Sequence, residues 1–66
     1  MKNRIKELRK ARSITQDDLA KELNVTRQTI NAIENEKYNP TLELALRLAR
    51  FLEIAVEELF ILSDQK

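Results

Sequence analysis

The sequence has no cysteine, no histidine and no glycine, and it contains a single proline. The lack of cysteine excludes a disulfide framework, and without cysteine or histidine we find no cluster of ligands for a structural metal. Ser13 and Ser63 fall in turn or terminal positions, so no pair of nucleophile and base can be assembled. No apolar run approaches the roughly 20 residues that cross a membrane. The sequence therefore predicts neither an enzyme nor a membrane protein, and we expect no cofactor and no small-molecule ligand.

Length and charge narrow the possibilities further. The 66 residues suffice for one domain, 1–66, with a thin core, so association with a second copy is the expected supplement. Nine basic residues face six acidic ones over 1–38, whereas three face five over 39–66. Six of the basic residues lie within the first twelve positions, where they can neutralise phosphates or form an ordinary solvated helix face. No apolar stretch follows these charges, so we expect no signal peptide and a cytoplasmic protein.

Residues 15–34 contain two short helical patterns that are separated by one turn. Thr15 and Thr26 are each placed to cap a helix, because a threonine hydroxyl can accept a hydrogen bond from a free amide of the first turn. Asn24 suits the left-handed conformation that commonly ends a helix. The apolar residues between the caps recur at helical spacing, so both helices can pack over a shared core. This pattern predicts a helix-turn-helix, which indicates DNA binding.

Five helices account for nearly the whole chain. The predicted ranges are 3–12, 16–23, 27–35, 42–52 and 56–62, which makes the fold all-α. The segment 36–40 is predicted to be a loop, because Pro40 disfavours helical geometry in the residue before it, and Thr41 can then cap the fourth helix. The last few residues are polar and are expected to fray.

The third helix presents a polar but uncharged face. Its members share spacings of three, four and seven residues and lie opposite Ile30 and Ile33; they are Gln28, Asn31, Ala32 and Asn35. A glutamine or asparagine amide can donate and accept at once, which matches N6 and N7 of adenine, and Ala32 can pack on a thymine methyl. The alternative is a solvated surface, although such a face usually carries more lysine and glutamate.

Four segments of the chain together form a specific pattern. They are Ile14-Thr-Gln-x-x-Leu-Ala20, Leu23-x-Val-Thr-x-x-Thr-Ile30, Ile33-Glu-Asn-x-Lys37 with Pro40, and Leu52-x-Ile-x-Val-Glu-Glu-Leu-Phe60. In these segments the chain resembles the Cro/repressor type of helix-turn-helix proteins, also called the XRE family, over residues 4–60. The resemblance implies a compact five-helix domain like that of the lambda repressor, with the third helix in the major groove and the second across the DNA backbone.

The resemblance also implies roles for individual residues. Arg27, Gln28 and Ala32 match positions that meet base edges, and Asn31 shares their face; Arg27 can instead swing to a phosphate. Gln16 matches a glutamine that binds a phosphate and supports the side chain corresponding to Gln28, with a capping role as the alternative. Phosphate contacts are further implied for Thr26, Asn35, Lys37, Tyr38 and Asn39.

Two other sets of positions match the family with consequences for folding. Arg9 and Glu34 match positions that form a partly buried ion pair between the first and third helices. The family often has glycine near Ser13, Asn24, Glu36 and Glu53. Asparagine replaces glycine easily there, but Glu36 and Glu53 are strained if their backbones are left-handed.

The fourth helix carries more apolar residues than one core face needs. Its expected core face consists of Leu42, Ala45, Leu48, Ala49 and Leu52. Leu44 and Phe51 lie seven residues apart on its far side. We expect them to form a two-fold homodimer interface together with Ile61 and Leu62, which follow the fifth helix's core residues. A monomer with an exposed apolar flank is the alternative.

These observations predict a sequence-specific transcriptional regulator with double-stranded DNA as its partner. The simplest form is a repressor that binds a palindromic operator as a dimer, with its third helix in the major groove. The alternative is an antitoxin or a transcriptional adaptor that acts mainly through a protein partner, since both roles occur in the same family.

Overall fold

The computed structural model describes residues 1–62. The five predicted helices are present, and two very short strands accompany them. In chain order the elements are β1 (Lys2–Asn3), α1 (Ile5–Ala11), α2 (Gln16–Leu23), α3 (Arg27–Glu34), α4 (Leu42–Leu52), α5 (Val56–Leu59) and β2 (Phe60–Ile61). The helix-turn-helix consists of α2 and α3, as predicted. The polar ending 63–66, for which fraying is expected, lies outside the described residues.

Both ends of the predicted helical array differ from the expectation because of the strands. Lys2 pairs with Ile61 and Asn3 with Phe60 in an antiparallel ladder. Helix α1 therefore begins at Ile5 rather than at residue 3, and α5 ends at Leu59 rather than at residue 62. The Arg4 amide also donates to the Leu59 carbonyl at 2.9 Å, which extends the contact between the two ends.

The three threonine caps are confirmed. The hydroxyl oxygens of Thr15, Thr26 and Thr41 accept hydrogen bonds from the amides of Asp18, Thr29 and Leu44, at 3.0, 3.1 and 3.2 Å. At α2 the Asp18 carboxylate also accepts from the Thr15 amide at 3.2 Å, which completes a capping box. These caps satisfy amides that no helical carbonyl can reach, and they fix where α2, α3 and α4 begin.

Helices α1 to α4 end in the same way. Ser13, Asn24, Glu36 and Glu53 have φ angles of 58°, 58°, 62° and 58°, so each adopts the left-handed conformation without being glycine. The next residue then donates its amide to a carbonyl in the last turn, as Ile14 does to Arg9 and Lys37 to Ala32. The predicted strain at Glu36 and Glu53 is therefore present, because a Cβ atom crowds the backbone in this conformation.

All five helices contribute to one core. The largest fully buried side chains are Ile5 from α1, Leu19 from α2, Ile30 and Ile33 from α3, Leu48 from α4 and Leu59 from α5. Apolar residues of the other three helices thus pack with those of α2 and α3 and stabilise their pairing. In the described part of the chain, no helix is long and apolar enough to cross a membrane.

The predicted faces of α4 were partly wrong. Leu44 is only 8 % exposed and belongs to the core, whereas Leu42 is 73 % exposed. Leu44, Leu48 and Leu52 are four residues apart and therefore form one buried row along the helix. Phe51 is half-buried against the same core. The expectation that Leu44 is free to meet a second copy therefore fails, because the chain itself covers this side chain.

Candidate nucleic-acid interface

The exposed face of α3 is the one that the sequence indicates. Gln28, Asn31 and Asn35 are exposed and Ala32 is half-buried, while Ile30 and Ile33 anchor the opposite face in the core. The Thr26 cap holds the first turn, and the Thr26 and Thr29 hydroxyl oxygens lie 2.9 Å apart. A helix that is fixed at its start and along one side presents its amide side chains from a defined position.

Residues from the starts of α2 and α3 surround a shallow concavity, here called the reading groove. Its lining consists of Gln16, Thr26, Arg27, Gln28 and Asn31. The fold thus brings together side chains that the sequence assigns to base edges and side chains that it assigns to phosphates. The only capping hydroxyls at these two helix starts belong, among the described residues, to Thr15 and Thr26, so Gln16 is not the cap of α2.

A hydrogen bond along α3 orients the side-chain amide of Asn31. Asn35 Nδ2 donates to Asn31 Oδ1 at 3.1 Å. This contact uses one of the two acceptor sites of Asn31 Oδ1 and leaves its NH2 group available. Asn31 therefore offers donors to an incoming base, which suits acceptors such as N7 of a purine or O4 of thymine. The side chain of Asn35, for which the resemblance implies a phosphate contact, thus also orients Asn31 on the predicted base-reading face.

The predicted ion pair between Arg9 and Glu34 is present and buried. Arg9 Nε lies 2.7 Å from Glu34 Oε2, and the two side chains are only 10 % and 2 % exposed. Arg9 also donates through Nη2 to Glu34 Oε1 at 3.2 Å and through Nη1 to the Ile14 carbonyl at 2.9 Å. Because Glu34 is the last residue of α3, the pair connects the recognition helix to α1. Loss of one partner would leave a buried charge without compensation.

Gln16 joins this pair from α2. Its Nε2 donates to Glu34 Oε1 at 3.0 Å. The family resemblance places Gln16 beside a phosphate and beside Gln28, and the structure adds the Glu34 carboxylate as its direct partner. No sequence pattern indicates this contact, because residues 16 and 34 belong to different helices whose relative placement is set by the core.

A second groove lies at the start of α2. Its lining consists of Arg9, Lys10, Ser13, Ile14, Thr15, Gln16, Asp17 and Arg27. Lys10 and Arg27 are both exposed and bring positive charge to this groove, which suits a DNA phosphate. Arg27 lines both grooves, so it is placed between the base-reading face and the phosphate side. Lys10 is the cation that the sequence analysis does not single out from its basic cluster.

The basic cluster of the first twelve residues is divided by the fold. Arg4 pairs with Glu7 at 3.2 Å, Arg9 with Glu34, and Arg12 with Glu53 at 3.4 Å. The hydrogen bond from Arg4 and the charge of its guanidinium lower the pKa of Glu7 below its ordinary value, so this carboxyl is ionised beside Arg4 at neutral pH. Three of the six basic side chains thus have acidic partners within the chain, and Lys2, Lys6 and Lys10 are the exposed cations that remain of the cluster.

The loop after α3 is fully accessible. Lys37, Tyr38 and Asn39 are all exposed and follow the left-handed turn at Glu36. At the ends of α1, α2 and α4, an apolar residue follows the turn and returns to the core, namely Ile14, Val25 and Ile54. Lys37 takes this position after α3 instead. The chain therefore leaves the core here and presents a lysine, a tyrosine and an asparagine beyond the end of the recognition helix.

Comparisons with known proteins agree with this geometry. A family model described as helix-turn-helix matches residues 5–59. The chain is similar to an uncharacterized HTH-type transcriptional regulator from Methanocaldococcus jannaschii, with 48% identity over the full length of both chains. It is also similar to the immunity repressor protein of Bacillus phage phi105, with 42% identity over 80% of this chain and 37% of the repressor.

A solved structure supports the same assignment. The restriction-modification controller protein C.AhdI from Aeromonas hydrophila has 35% identity and a TM-score of 0.77, with 86% of each chain covered. The fold, the capped pair α2 and α3 and these similarities point the same way. The chain belongs to the XRE-type helix-turn-helix family of DNA-binding transcriptional regulators.

Proposed function

We propose that the protein represses transcription by binding a palindromic operator as a two-fold dimer, with α3 in the major groove. The observation that carries the proposal is the exposed amide face of α3, on which Gln28 and Asn31 project from a helix that is capped at Thr26 and anchored through Glu34. Amides on a rigid helix suit adenine edges, because each can form paired hydrogen bonds with one base.

Phosphate contacts would hold this helix in register. Lys10 and Arg27 flank the start of α2, and Lys37, Tyr38 and Asn39 follow the end of α3. The two sets thus lie before and after the reading side chains along the helix-turn-helix. Contacts of this kind carry little sequence information, but they position the protein on the duplex and make its affinity depend on salt.

The proposed dimer uses an apolar face on the N-terminal part of α4. Leu42, Leu46 and Leu62 are 73 %, 52 % and 79 % exposed, and Met1 is 38 % exposed. Leu42 lines one concavity with Leu46 and another with Met1 and Leu62, so Leu42 connects the other three side chains. These four residues are the apolar face. It keeps Leu62 from the predicted interface and replaces Leu44 and Phe51, which pack on the core of the chain. Ile61 is exposed but lines neither concavity, so the proposed interface leaves it out.

Selection of bound DNA from a random pool tests the proposal. We expect enrichment of two inverted copies of one half-site, with centres about one helical turn or roughly 34 Å apart. Adenines should recur at the positions that face Gln28. Enriched sequences with a single unrepeated half-site would contradict the dimer, and a pool without any shared motif would contradict sequence-specific binding.

A further inference from the structure

The exposed side of α4 carries a row of side chains that changes from acidic to apolar to basic. Glu43 lies in the first turn and Arg50 in the last, and Leu46 lies between them. Glu43 and Arg50 are seven residues apart, so their side chains leave the helix only about 20° apart, at positions about 10 Å apart along its axis. All three are exposed and line one concavity. These three residues are here called the charged row.

No other described residue forms a salt bridge with either end of the charged row. The salt bridges found within residues 1–62 join Arg4 to Glu7, Arg9 to Glu34 and Arg12 to Glu53. Glu43 and Arg50 lie two turns apart, which is too far for them to pair along the helix. Each charge does suit its own helix end, where it interacts favourably with the helix dipole. Their position on one side of α4 with Leu46 leaves both available to a partner outside the chain.

Two-fold symmetry brings opposite ends of the charged row together. In a two-fold dimer each surface meets an identical surface, so its pattern must complement its own reverse. The midpoint between positions 43 and 50 falls between Leu46 and Arg47. When a two-fold axis perpendicular to α4 passes through that point, the two copies of α4 run antiparallel, and Glu43 of each copy faces Arg50 of the other. Leu46 lies beside the axis in both copies, so the two leucines pack at the centre.

We propose that α4 packs antiparallel on the α4 of a second copy, with Leu46 at the axis and two ion pairs between Glu43 and Arg50 of different copies that set the register. The inference rests on the proposed function, because it specifies how the proposed dimer pairs. A parallel arrangement would place Glu43 against Glu43 and Arg50 against Arg50, and like charges in contact oppose association. Leu42 and Leu46 supply the buried apolar area, while the ion pairs supply orientation.

Two charge reversals test the register, because each can be measured alone and in mixture. Glu43→Arg gives a chain with arginine at both positions, and Arg50→Glu gives a chain with glutamate at both. Each variant alone brings like charges together twice in its dimer, whereas a heterodimer of the two variants regains both ion pairs. Circular dichroism establishes that each variant folds. Sedimentation equilibrium at micromolar concentration measures the association of the wild type, of each variant and of the equimolar mixture.

Arg47→Glu is the matched control, because it reverses the same charge on another exposed arginine of α4. In the proposed register, position 47 lies beside the axis and not opposite Glu43. A heterodimer of Glu43→Arg with Arg47→Glu therefore keeps one pair of arginines in contact, at positions 43 and 50. This mixture should associate more weakly than the mixture of Glu43→Arg with Arg50→Glu.

We expect the wild type to form a dimer and each charge reversal in the row to raise the dissociation constant about tenfold or more, since two attractive pairs become repulsive. The equimolar mixture of Glu43→Arg and Arg50→Glu should associate within about threefold of the wild type, because distant sites contribute almost additively. The rescue should therefore depend on which arginine is reversed.

Other outcomes overturn the proposal at identifiable steps. If Glu43→Arg or Arg50→Glu dimerises as tightly as the wild type, or if their mixture associates no better than its components, the proposed register is wrong. Equal rescue by Arg47→Glu would show that attraction between chains of different net charge, and not the register, drives pairing. A wild-type monomer contradicts the dimer of the proposed function itself.

Discussion

Four residues with a left-handed backbone conformation lower the stability of this chain, and single substitutions can remove part of that cost. The left-handed conformation costs a residue with a Cβ atom about 1–2 kcal/mol relative to its preferred state. Asn24 tolerates it better, since the short amide side chain can hydrogen-bond locally, but Glu36 has no such compensation in its chemistry. The four helix ends thus make the same turn, but the backbone strain is larger at Glu36 and Glu53 than at Asn24.

Replacement of Glu36 by glycine should therefore stabilise the protein. We expect the free energy of unfolding to rise by up to about 1 kcal/mol, because relief of the steric cost exceeds the extra entropy that glycine gives the unfolded chain. Urea unfolding at one protein concentration measures the change. Asn24→Gly is the control and should gain less; equal gains at both positions would show that the side chain of Glu36 is not the source of strain.

At the interface, single residues should separate base reading from phosphate binding. Gln28→Ala should weaken operator binding by about 1–3 kcal/mol and relax the preference at one base pair in each half-site. Lys37→Ala should weaken all sequences about equally and lower the salt slope of the binding constant by about one. Titrations at several salt concentrations measure both effects. A sequence-dependent effect of Lys37→Ala would mean that this lysine meets bases.

At the scale of elements, the basic residues at the end of helix α1 and directly after it have two different roles. Arg12 donates through Nη1 and Nη2 to the Phe51 and Leu52 carbonyls, at 3.2 and 3.1 Å, and so caps the end of α4. Lys10 instead lines the groove at the start of α2. Two cations only two residues apart therefore serve the fold and the proposed DNA contact respectively, because side chains at this spacing leave a helix about 200° apart.

Alanine substitutions should distinguish the stabilising role of Arg12 from the proposed DNA-binding role of Lys10. Arg12→Ala should lower the free energy of unfolding by about 1–2 kcal/mol, since two carbonyls at a helix end lose a charged donor. Lys10→Ala should leave stability nearly unchanged and reduce the salt dependence of DNA binding. Thermal unfolding and binding titrations on both variants give the comparison. Equal loss of stability in the two variants would contradict the assignment.

Local chemistry explains how much of this architecture could be predicted. The bounds of α2 agree with prediction, since the Thr15 cap and the Asn24 turn are both encoded within a few residues. The amide face of α3 follows from helical spacing in the same way. The strand pair could not be predicted, because two residues at each end carry no periodicity and meet only once the core has formed. In α4, leucines at 42, 44, 46 and 48 fit more than one face, so periodicity alone misplaced Leu44.

On the scale of the whole molecule, the described residues expose several large apolar side chains on the apolar face. Leu42, Leu46 and Leu62 are exposed on the apolar face, and the buried Phe60 lines the same concavity as Leu42 and Leu62. Ile61 lies on the other side of β2, because successive side chains of a strand alternate. A second copy related by a two-fold axis would cover the same face on both molecules at once.

Sedimentation equilibrium at micromolar concentration should separate this interface from its neighbours. We expect a dimer mass for the wild type, a monomer mass for Leu46→Lys, and a dimer mass for Ile61→Lys, which introduces the same charge on the opposite side of the strand. The lysine at position 46 would be buried without a partner, whereas the lysine at 61 stays in water. A wild-type monomer would favour the alternative in which this face meets a different protein.

We expect the strand pair to form late in folding. It joins the first residues of the chain to the last ones described, so a large loop-closure entropy opposes its few hydrogen bonds. Helices α2 and α3 can assemble from local contacts, whereas the 2.9 Å hydrogen bond from Asn3 Nδ2 to the Ile33 carbonyl joins residues 30 positions apart. Asn3→Ala should therefore accelerate unfolding and leave the folding rate nearly unchanged in stopped-flow measurements. A slower folding rate would place closure in the nucleus instead. We therefore expect α3 to form early and its contact with the N-terminal residues to form last.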